Sequence, residues 1–305
     1  MQQSKVKYTF LLPAYKLSFF EEAICSIKNQ NYKDFKCIVS DDCSPEKLKI
    51  VFDNTVGNDS RFVYRRNEEN MGGKSLVSHW NLLVDLCDTE YLIMASDDDV
   101  YESNFLQEID ALVKIHPTVD IFRAKARRTE DGVDVLSDGD IPELLSQVDF
   151  LEYFGKKSMV HCLANYVFRT SALQSMDKFP DFPKATKSDS AAAIYLSKNG
   201  IASTKDVLFT FRMSHENLSS VNGYDKNLQK TTEANLMFVD WYKRNFNRCY
   251  PYKSFVEDIV FYLISRMSLK NGFIYYFAFR RRGYFCGIKH LFTMGKNWIK
   301  IHSAN

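Results

Sequence analysis

Tyr91-Leu92-Ile93-Met94-Ala95-Ser96-Asp97-Asp98-Asp99 decides the fold, because an unbroken apolar run passes directly into three adjacent carboxylates. An apolar run of this length without polar alternation reads as a strand covered on both faces, the habit of parallel sheets. In such sheets ligands collect beyond the carboxyl ends of the strands. Three neighbouring carboxylates at that place repel one another unless a cation sits among them. A hard divalent ion, Mg2+ or Mn2+, suits oxygen donors and completes its shell with phosphate oxygens and water, which points to a phosphate-bearing substrate. The competing reading is a solvated acidic loop capping a helix that starts at Asn104.

Working outward, short apolar runs at 6–12, 36–40, 61–65, 91–95 and 119–123 alternate with amphipathic stretches at 19–29, 46–54, 74–86 and 104–115. That alternation predicts an α/β fold, a Rossmann-like, mostly parallel central sheet flanked by helices. Pro13 ends the first run, and Asp41-Asp42 follow the second. In the second cluster, Ser40-Asp41-Asp42-Cys43-Ser44-Pro45, the serine and proline are expected to open a helix with a capping hydroxyl and a first-turn proline. One aspartate there can cap, and the other is left to accept from the imide N–H of a pyrimidine base. The polar stretch 125–147 carries Asp131-Gly132 and Asp138-Gly139 turn signals and reads as a hairpin between two halves. Beyond it, 162–168 and 206–212 read as strands, 188–197 as a helix, and the chain from Tyr224 through Trp241 and Ile264 as helical.

The 305 residues are 45% hydrophobic and 26% charged, enough for one large domain with an appendage. The net charge of +2 hides an asymmetry: no Asp or Glu follows Asp258, while eight Lys or Arg do. Seven scattered cysteines without a C-x-x-C pair exclude a disulfide framework and a structural zinc site and suit a reducing compartment. No apolar stretch reaches the ~20 residues of a membrane span. A cytoplasmic protein, either soluble or attached peripherally to the inner face of the plasma membrane, is expected.

In order, Pro13-Ala14-Tyr15, Ala23 to Gln30, Phe35 to Ser44, Asn70-Met71-Gly72-Gly73 and Glu90 to Asp99 resemble the motifs of the family 2 glycosyltransferases. The resemblance covers residues 5 to about 220. It implies a GT-A fold and an inverting, metal-dependent enzyme that transfers a sugar from a nucleoside diphosphate sugar to a glycan or lipid-linked acceptor, as in bacterial O-antigen or capsule synthesis. It assigns residues 1–220 to the catalytic domain, with a nucleotide-binding half to about 124 and an acceptor-binding half beyond. Residues 221–305 become a helical, basic and aromatic C-terminal extension.

Position by position, the resemblance implies nucleotide contacts from Pro13, Ala14, Tyr15, Asp42 and Asp97. Asp98 becomes the ligand of Mn2+ or Mg2+, with Asp99 as a possible second ligand, although three aspartates in a row leave the register open. His215, in Arg212-Met213-Ser214-His215, matches an element that approaches the diphosphate or metal. Asp189, in Thr186-Lys187-Ser188-Asp189, matches the general base; a carboxylate stabilised by its helix N-terminus is the competing reading. Two departures stand out. Cys43 replaces a customary glycine, and Ser78-His79-Trp80-Asn81 stands where many members carry Arg-Asn, so the diphosphate contact passes to Lys74, Arg65 or Arg66.

The tail 259–305 has the composition of a helix lying on an anionic lipid surface, or of a face packed on the catalytic domain. Nucleic acid is not an expected partner, since the basic residues are not spread over a face. A sugar nucleotidyltransferase or a dinucleotide oxidoreductase would need a Gly-rich loop after the first strand, and Pro13-Ala14-Tyr15-Lys16-Leu17 has no glycine. A non-catalytic nucleotide- or glycan-binding module on the same fold is the remaining alternative.

Overall fold

The apolar runs form strands where the sequence places them. In the computed structural model, which describes residues 6–156, 158–214 and 228–246, β1 (Tyr8–Ala14), β2 (Phe35–Asp41), β3 (Phe62–Arg66) and β4 (Tyr91–Met94) alternate with α1 (Phe20–Lys28), α2 (Leu48–Val56) and α3 (Gly72–Asp85). Then come β5 (Val100–Tyr101), α4 (Phe105–Ile115), β6 (Ile121–Glu130), β7 (Val133–Ser137), β8 (Leu144–Leu145) and α5 (Gln147–Lys156). β9 (Tyr166–Arg169), α6 (Thr170–Ser175), α7 (Ser188–Leu196), β10 (Ile201–Met213) and α8 (Leu228–Phe246) follow. One sheet runs in the order β3-β2-β1-β4-β9-β6-β10-β5, with β7 on β6 and β8 on β10. Its longest ladders, β1 on β2 and β6 on β10, are parallel, and β9 runs antiparallel between β4 and β6.

β1 is the centre of the first four strands because β2 lies on one side and β4 on the other. The strand order reverses there, and the crevice past the ends of β1 and β4 is where an open α/β sheet binds ligands. α1 packs through Phe20, Ala23, Ile24 and Ile27, the spacing of one helical face. Buried Gln30 joins this layer to the next: its amide donates to Glu102 O (2.8 Å) and accepts from Leu106 N (3.0 Å). It thereby caps α4, whose own N-cap residue, Asn104, makes no side-chain cap.

Pro13 does not end the first strand. Pro13 pairs with Ser40 and Ala14 with Asp41, so β1 continues past it. The N–H that proline lacks would face β4, whose pairing has already stopped at Leu11 opposite Met94, so no ladder bond is lost. The helix expected at Ser44-Pro45 begins later, at Leu48, with Lys47 before it and no side-chain cap. The segment 162–168 is not one strand, since a 3-10 turn, Leu163–Asn165, precedes β9. The hairpin is present: β7 folds back on β6 through Asp131 and Gly132, both with positive φ.

The chain divides into two compact units, residues 1–234 and 235–305. Of the second, residues 235–246 are described, and they are helical through Trp241 as expected. His215 and the basic tail 259–305 lie outside the described residues. No described helix is long and apolar enough to cross a membrane.

Candidate active site

Three strand ends meet in the crevice. The N–H groups of Tyr15 and Lys16, just past β1, each donate to Asp97 Oδ2 at 2.8 Å. The Ser44 hydroxyl, past β2, donates to Tyr15 O at 2.6 Å, and Asp42 N donates to Ala14 O at 2.8 Å. Pro13, Ala14 and Tyr15 thus lie beside Asp42 and Asp97, as the motif order implies. Ala14 is buried, whereas the Tyr15 ring is 42% exposed and offers a flat face at the crevice rim.

Of the two carboxylates at the end of β2, Asp42 is the one held by the Asn70–Gly73 turn. It is 4% exposed and accepts from Asn67 Nδ2 (2.8 Å), Met71 N (2.9 Å) and Gly72 N (2.7 Å). An ionised carboxylate has about four acceptor sites, so one direction is left for an outside donor. The sequence in Asn70-Met71-Gly72-Gly73 explains the clamp. Asn70 Oδ1 accepts from Gly73 N (2.6 Å) and closes the first turn of α3, which breaks at Ser75 and restarts with Ser75 Oγ accepting from Ser78 N (3.1 Å). A Cβ on Gly72 would stand 2.9 Å from Asp42 Oδ2. Gly72→Ala is therefore expected to push Asp42 aside and weaken nucleotide binding roughly tenfold, with the melting temperature little changed. Calorimetric titration with UDP checks this, and unchanged affinity would remove Asp42 from the binding surface.

Cys43 adopts the left-handed conformation, φ 56°, which is why glycine is customary at that position. Asp41 points the other way. Tyr64 OH donates to it at 2.5 Å, Arg66 forms an ion pair with it, and Ser44 N donates at 2.8 Å, all on a residue 1% exposed. Arg66, read as a diphosphate contact, is thus occupied by Asp41 and by Ser44 O (2.9 Å). Lys74 pairs with Glu69 (2.7 Å) on the open surface, a contact worth little and easily exchanged.

The three adjacent aspartates divide their work. Asp97 accepts the two backbone amides described above. Burial raises its pKa, and the Lys16 ammonium and the two amides pull the other way. Asp98 is paired with Lys16 through Oδ2. Asp99 turns inward: Oδ1 accepts from Arg212 N (2.9 Å) and Oδ2 from the Ser96 hydroxyl, with the Cys162 thiol 3.8 Å away. Burial, with Asp98 beside it, pushes Asp99 up to about 7. The cause of this orientation is β5, which starts at the next residue and pairs Val100 with Thr210 and Tyr101 with Phe209. Asp99 thus fastens the motif to β10, while Asp97 and Asp98 share the Lys16 ammonium. Among the described residues no group of three or more His, Cys, Asp or Glu could hold a metal by itself.

Asp189 opens α7 at the end of a strained approach, with Lys184, Ala185 and Lys187 all at positive φ. Its side chain is 22% exposed and its Oδ2 lies 3.3 Å from His161 Nε2. His161 Nδ1 is 2.7 Å from Tyr166 OH, and Nε2 is 3.0 Å from Ser190 Oγ. A proton on Nε2, with Nδ1 accepting from the tyrosine, satisfies these partners together. Burial raises the Asp189 carboxyl, but His161, Lys187 and the Ser190 N–H outweigh it and hold it below the ordinary carboxylate range. His161 is itself held from behind, because Asp138 accepts from Val160 N (2.6 Å) while fully buried Arg123, paired with Asp138, donates to Val160 O (3.0 Å). The Cys162 thiol, next along, is pushed up by burial and by the charge of Asp99; it lies 3.8 Å from Asp99 Oδ2, and its neighbour His161 is the residue paired with Asp189.

Some participants were not singled out from the sequence. Lys16 was one of them, although it directly follows Tyr15. Asn67 was another, and His79 was noted only as a departure. His79 is buried, with Nε2 2.9 Å from Ser40 Oγ and 3.3 Å from Asn67 Nδ2, and burial lowers its pKa. It supports Asp42 from below. Asn165 is fully buried and donates to Ala124 O (2.9 Å).

Residues 9–175, more than half of the chain, match the family described as Glycosyl transferase family 2. A Campylobacter jejuni subsp. jejuni relative, GalNAc(5)-diNAcBac-PP-undecaprenol beta-1,3-glucosyltransferase, is 32% identical over 104 residues, 34% of this chain and 33% of that protein. The chain thus aligns with about a third of that relative's length. Among solved structures, S. aureus TarS in complex with UDP superposes with a TM-score of 0.65 at 17% identity, over 88% of this chain and 74% of that one. The mannosyltransferase PcManGT from Pyrobaculum calidifontis, in complex with GDP-Man and Mn2+, superposes with a TM-score of 0.60 at 15% identity, over 96% and 80% of the two chains. At these identities the likeness is one of fold, and the GT-A architecture expected from the sequence is the one observed.

Proposed function

The chain belongs to glycosyl transferase family 2, and from that premise we propose that it is an inverting, metal-dependent enzyme transferring a sugar from a uridine diphosphate sugar to a hydroxyl of a glycan or lipid-linked oligosaccharide. The observation that supports this reading is the meeting at one crevice of the Tyr15 and Lys16 turn, Asp42 and the Asp97–Asp98 pair; Asp189 is assigned to the base by its motif. The UDP bound by S. aureus TarS and the lipid-linked acceptor in the name of the C. jejuni relative support the choice of donor and acceptor.

In this reading the base edge meets Asp42, whose remaining acceptor direction suits the imide N–H of uracil, while the Tyr15 face covers the ring. Asp97 holds the first-strand turn against the diphosphate. The donor set fits a divalent ion: Asp98 is a nearly buried carboxylate that already engages a cation, and Mg2+ or Mn2+ needs only one or two carboxylates when phosphate oxygens complete its shell. Bound there, such an ion would supply charge neutralisation to the leaving diphosphate; the PcManGT complex contains GDP-Man and Mn2+. His215, outside the described residues, is assigned to the same site by its motif. Lys74 remains the basic residue assigned to the diphosphate, since Arg66 would have to leave Asp41 and Ser44 O to reach it.

Asp189 takes the proton of the acceptor hydroxyl as its oxygen attacks the anomeric carbon from the face opposite the diphosphate. A single displacement of that kind inverts the carbon. The proposal places residues 125–220 around the acceptor and lets the basic tail 259–305 bring the enzyme to an anionic membrane face where lipid-linked acceptors of bacterial polysaccharide synthesis reside.

A panel of nucleotide sugars incubated with the protein and Mn2+ or Mg2+ tests the reading. Nucleoside diphosphate is expected to be released from a uridine diphosphate sugar, and chelator is expected to abolish the release. Failure of every nucleoside diphosphate to bind under the same conditions would sink the enzyme reading.

A further inference from the structure

Lys16 occupies the place of a cation at the Asp97–Asp98 pair. Its ammonium is bonded to Asp98 Oδ2 and lies 3.4 Å from Asp97 Oδ1, with side-chain exposures of 26% for the lysine and 7% and 8% for Asp98 and Asp97. The lysine backbone is fixed on the same motif, since its N–H and that of Tyr15 each donate to Asp97 Oδ2 at 2.8 Å and Tyr15 O accepts from Ser44 Oγ at 2.6 Å. The anchored part is therefore the main chain, while the charge stands on a flexible four-carbon stem that can swing about that anchor. A divalent ion taking Asp98 has to displace the ammonium, because two cations cannot share that oxygen at contact distance without strong repulsion. The displaced ammonium stays tethered beside the ion and so beside whatever phosphate the ion holds, and lysine is a ready phosphate partner as a point charge.

We infer that Lys16 is a built-in counter-ion: it keeps the Asp97–Asp98 pair closed to free metal, yields Asp98 when metal and nucleoside diphosphate arrive together, and then pairs with the diphosphate. The inference rests on the glycosyltransferase reading of this crevice. It makes metal and nucleotide binding mutually dependent, since each offsets what the other displaces, and such coupling is reciprocal. A nucleotide without metal meets a lysine already neutralised by carboxylates. Metal without nucleotide meets an occupied ligand and, among the described residues, too few further protein donors to complete its shell.

The test is Mn2+ binding followed by the electron paramagnetic resonance signal of free Mn2+, with and without UDP, for the wild type, Lys16→Met and Lys16→Arg. Without UDP, the wild type and Lys16→Arg are expected to bind Mn2+ weakly, and Lys16→Met about tenfold more tightly. At saturating Mn2+ the sign reverses: UDP affinity is expected to fall about tenfold in Lys16→Met, because the diphosphate loses a cation. Equal Mn2+ affinity of the wild type and Lys16→Met without UDP overturns the counter-ion role while leaving the metal site standing. Absence of Mn2+ binding to every protein even with UDP overturns the metal reading itself, and the inference with it. Should Lys16→Met not fold, the wild type labelled with 15N at its lysines answers the same question. An ammonium signal of Lys16 that moves only when Mg2+ and UDP are added together supports the inference, and one that moves with Mg2+ alone overturns it.

Discussion

Asp189→Asn is expected to lower turnover by roughly 10²–10⁴-fold, the usual contribution of a positioned base, while UDP affinity stays within about twofold. The substitution keeps shape and removes only the capacity to hold a proton. Asn can still accept from Ser190 N, which lies 2.7 Å from Asp189 Oδ1, so the first turn of α7 keeps its contact. The wild-type carboxylate is held below the ordinary range because His161, Lys187 and the Ser190 N–H outweigh the cost of its burial. It is therefore already ionised at neutral pH. Turnover controlled by Asp189 should be flat through neutrality and fall only on strong acidification, as the carboxylate takes its proton. Steady-state kinetics at saturating donor, beside calorimetric titration with UDP, separates the chemical step from binding. An Asn variant with undiminished turnover would return Asp189 to the competing reading, a carboxylate stabilised by its helix N-terminus.

The nucleotide half was legible because its signals are local. The apolar run 91–95 and its aspartates predicted β4 and the crevice, and the five expected runs all contribute strands. Where the reading slipped, the deciding partner was distant in sequence. Pro13 stays in β1 because the neighbouring β4 has ended, a fact about another strand. Ser44 looked like a helix cap; its hydroxyl donates to Tyr15 O and accepts from Glu46 N (3.1 Å), closing a turn ahead of α2, which starts only at Leu48. The separate surroundings of Asp97, Asp98 and Asp99 could not be read from three identical side chains; what ties Asp99 to β10 is the pairing of β5 with β10 and the Arg212 amide.

The support of the two working carboxylates was also invisible in sequence for a physical reason. Asn67 and His79 reach Asp42 from β3's end and from α3, and neither lies in a motif with it. His161 and Asp189 come from opposite ends of a segment that contains β9 and α6. Such polar networks are cheap to describe once folded and carry no periodicity beforehand. The Asp138-Gly139 turn signal is the instructive case. Asp138 is not a solvated turn residue but the buried acceptor that, with Arg123, holds Val160 and so sets the position of His161.

Asp98→Asn is expected to abolish the metal dependence of nucleotide binding. In the wild type, UDP should bind about 100-fold more tightly with Mn2+ than with chelator, equivalent to about 2.7 kcal/mol. In the Asn variant the two affinities should become equal, since an amide oxygen is a weak substitute for a carboxylate toward a hard ion. Asp99→Asn supplies the contrast that resolves the register. Asp99 faces the interior, accepting from Arg212 N and the Ser96 hydroxyl, and burial beside Asp98 already pushes it up to about 7. Its replacement should disturb the attachment of the motif to β10, lowering the melting temperature while preserving the ratio of UDP affinities with and without Mn2+. If Asp99→Asn erased that ratio and Asp98→Asn kept it, the ligand would be the third aspartate. The inward turn at β5 would then have to open when nucleotide binds.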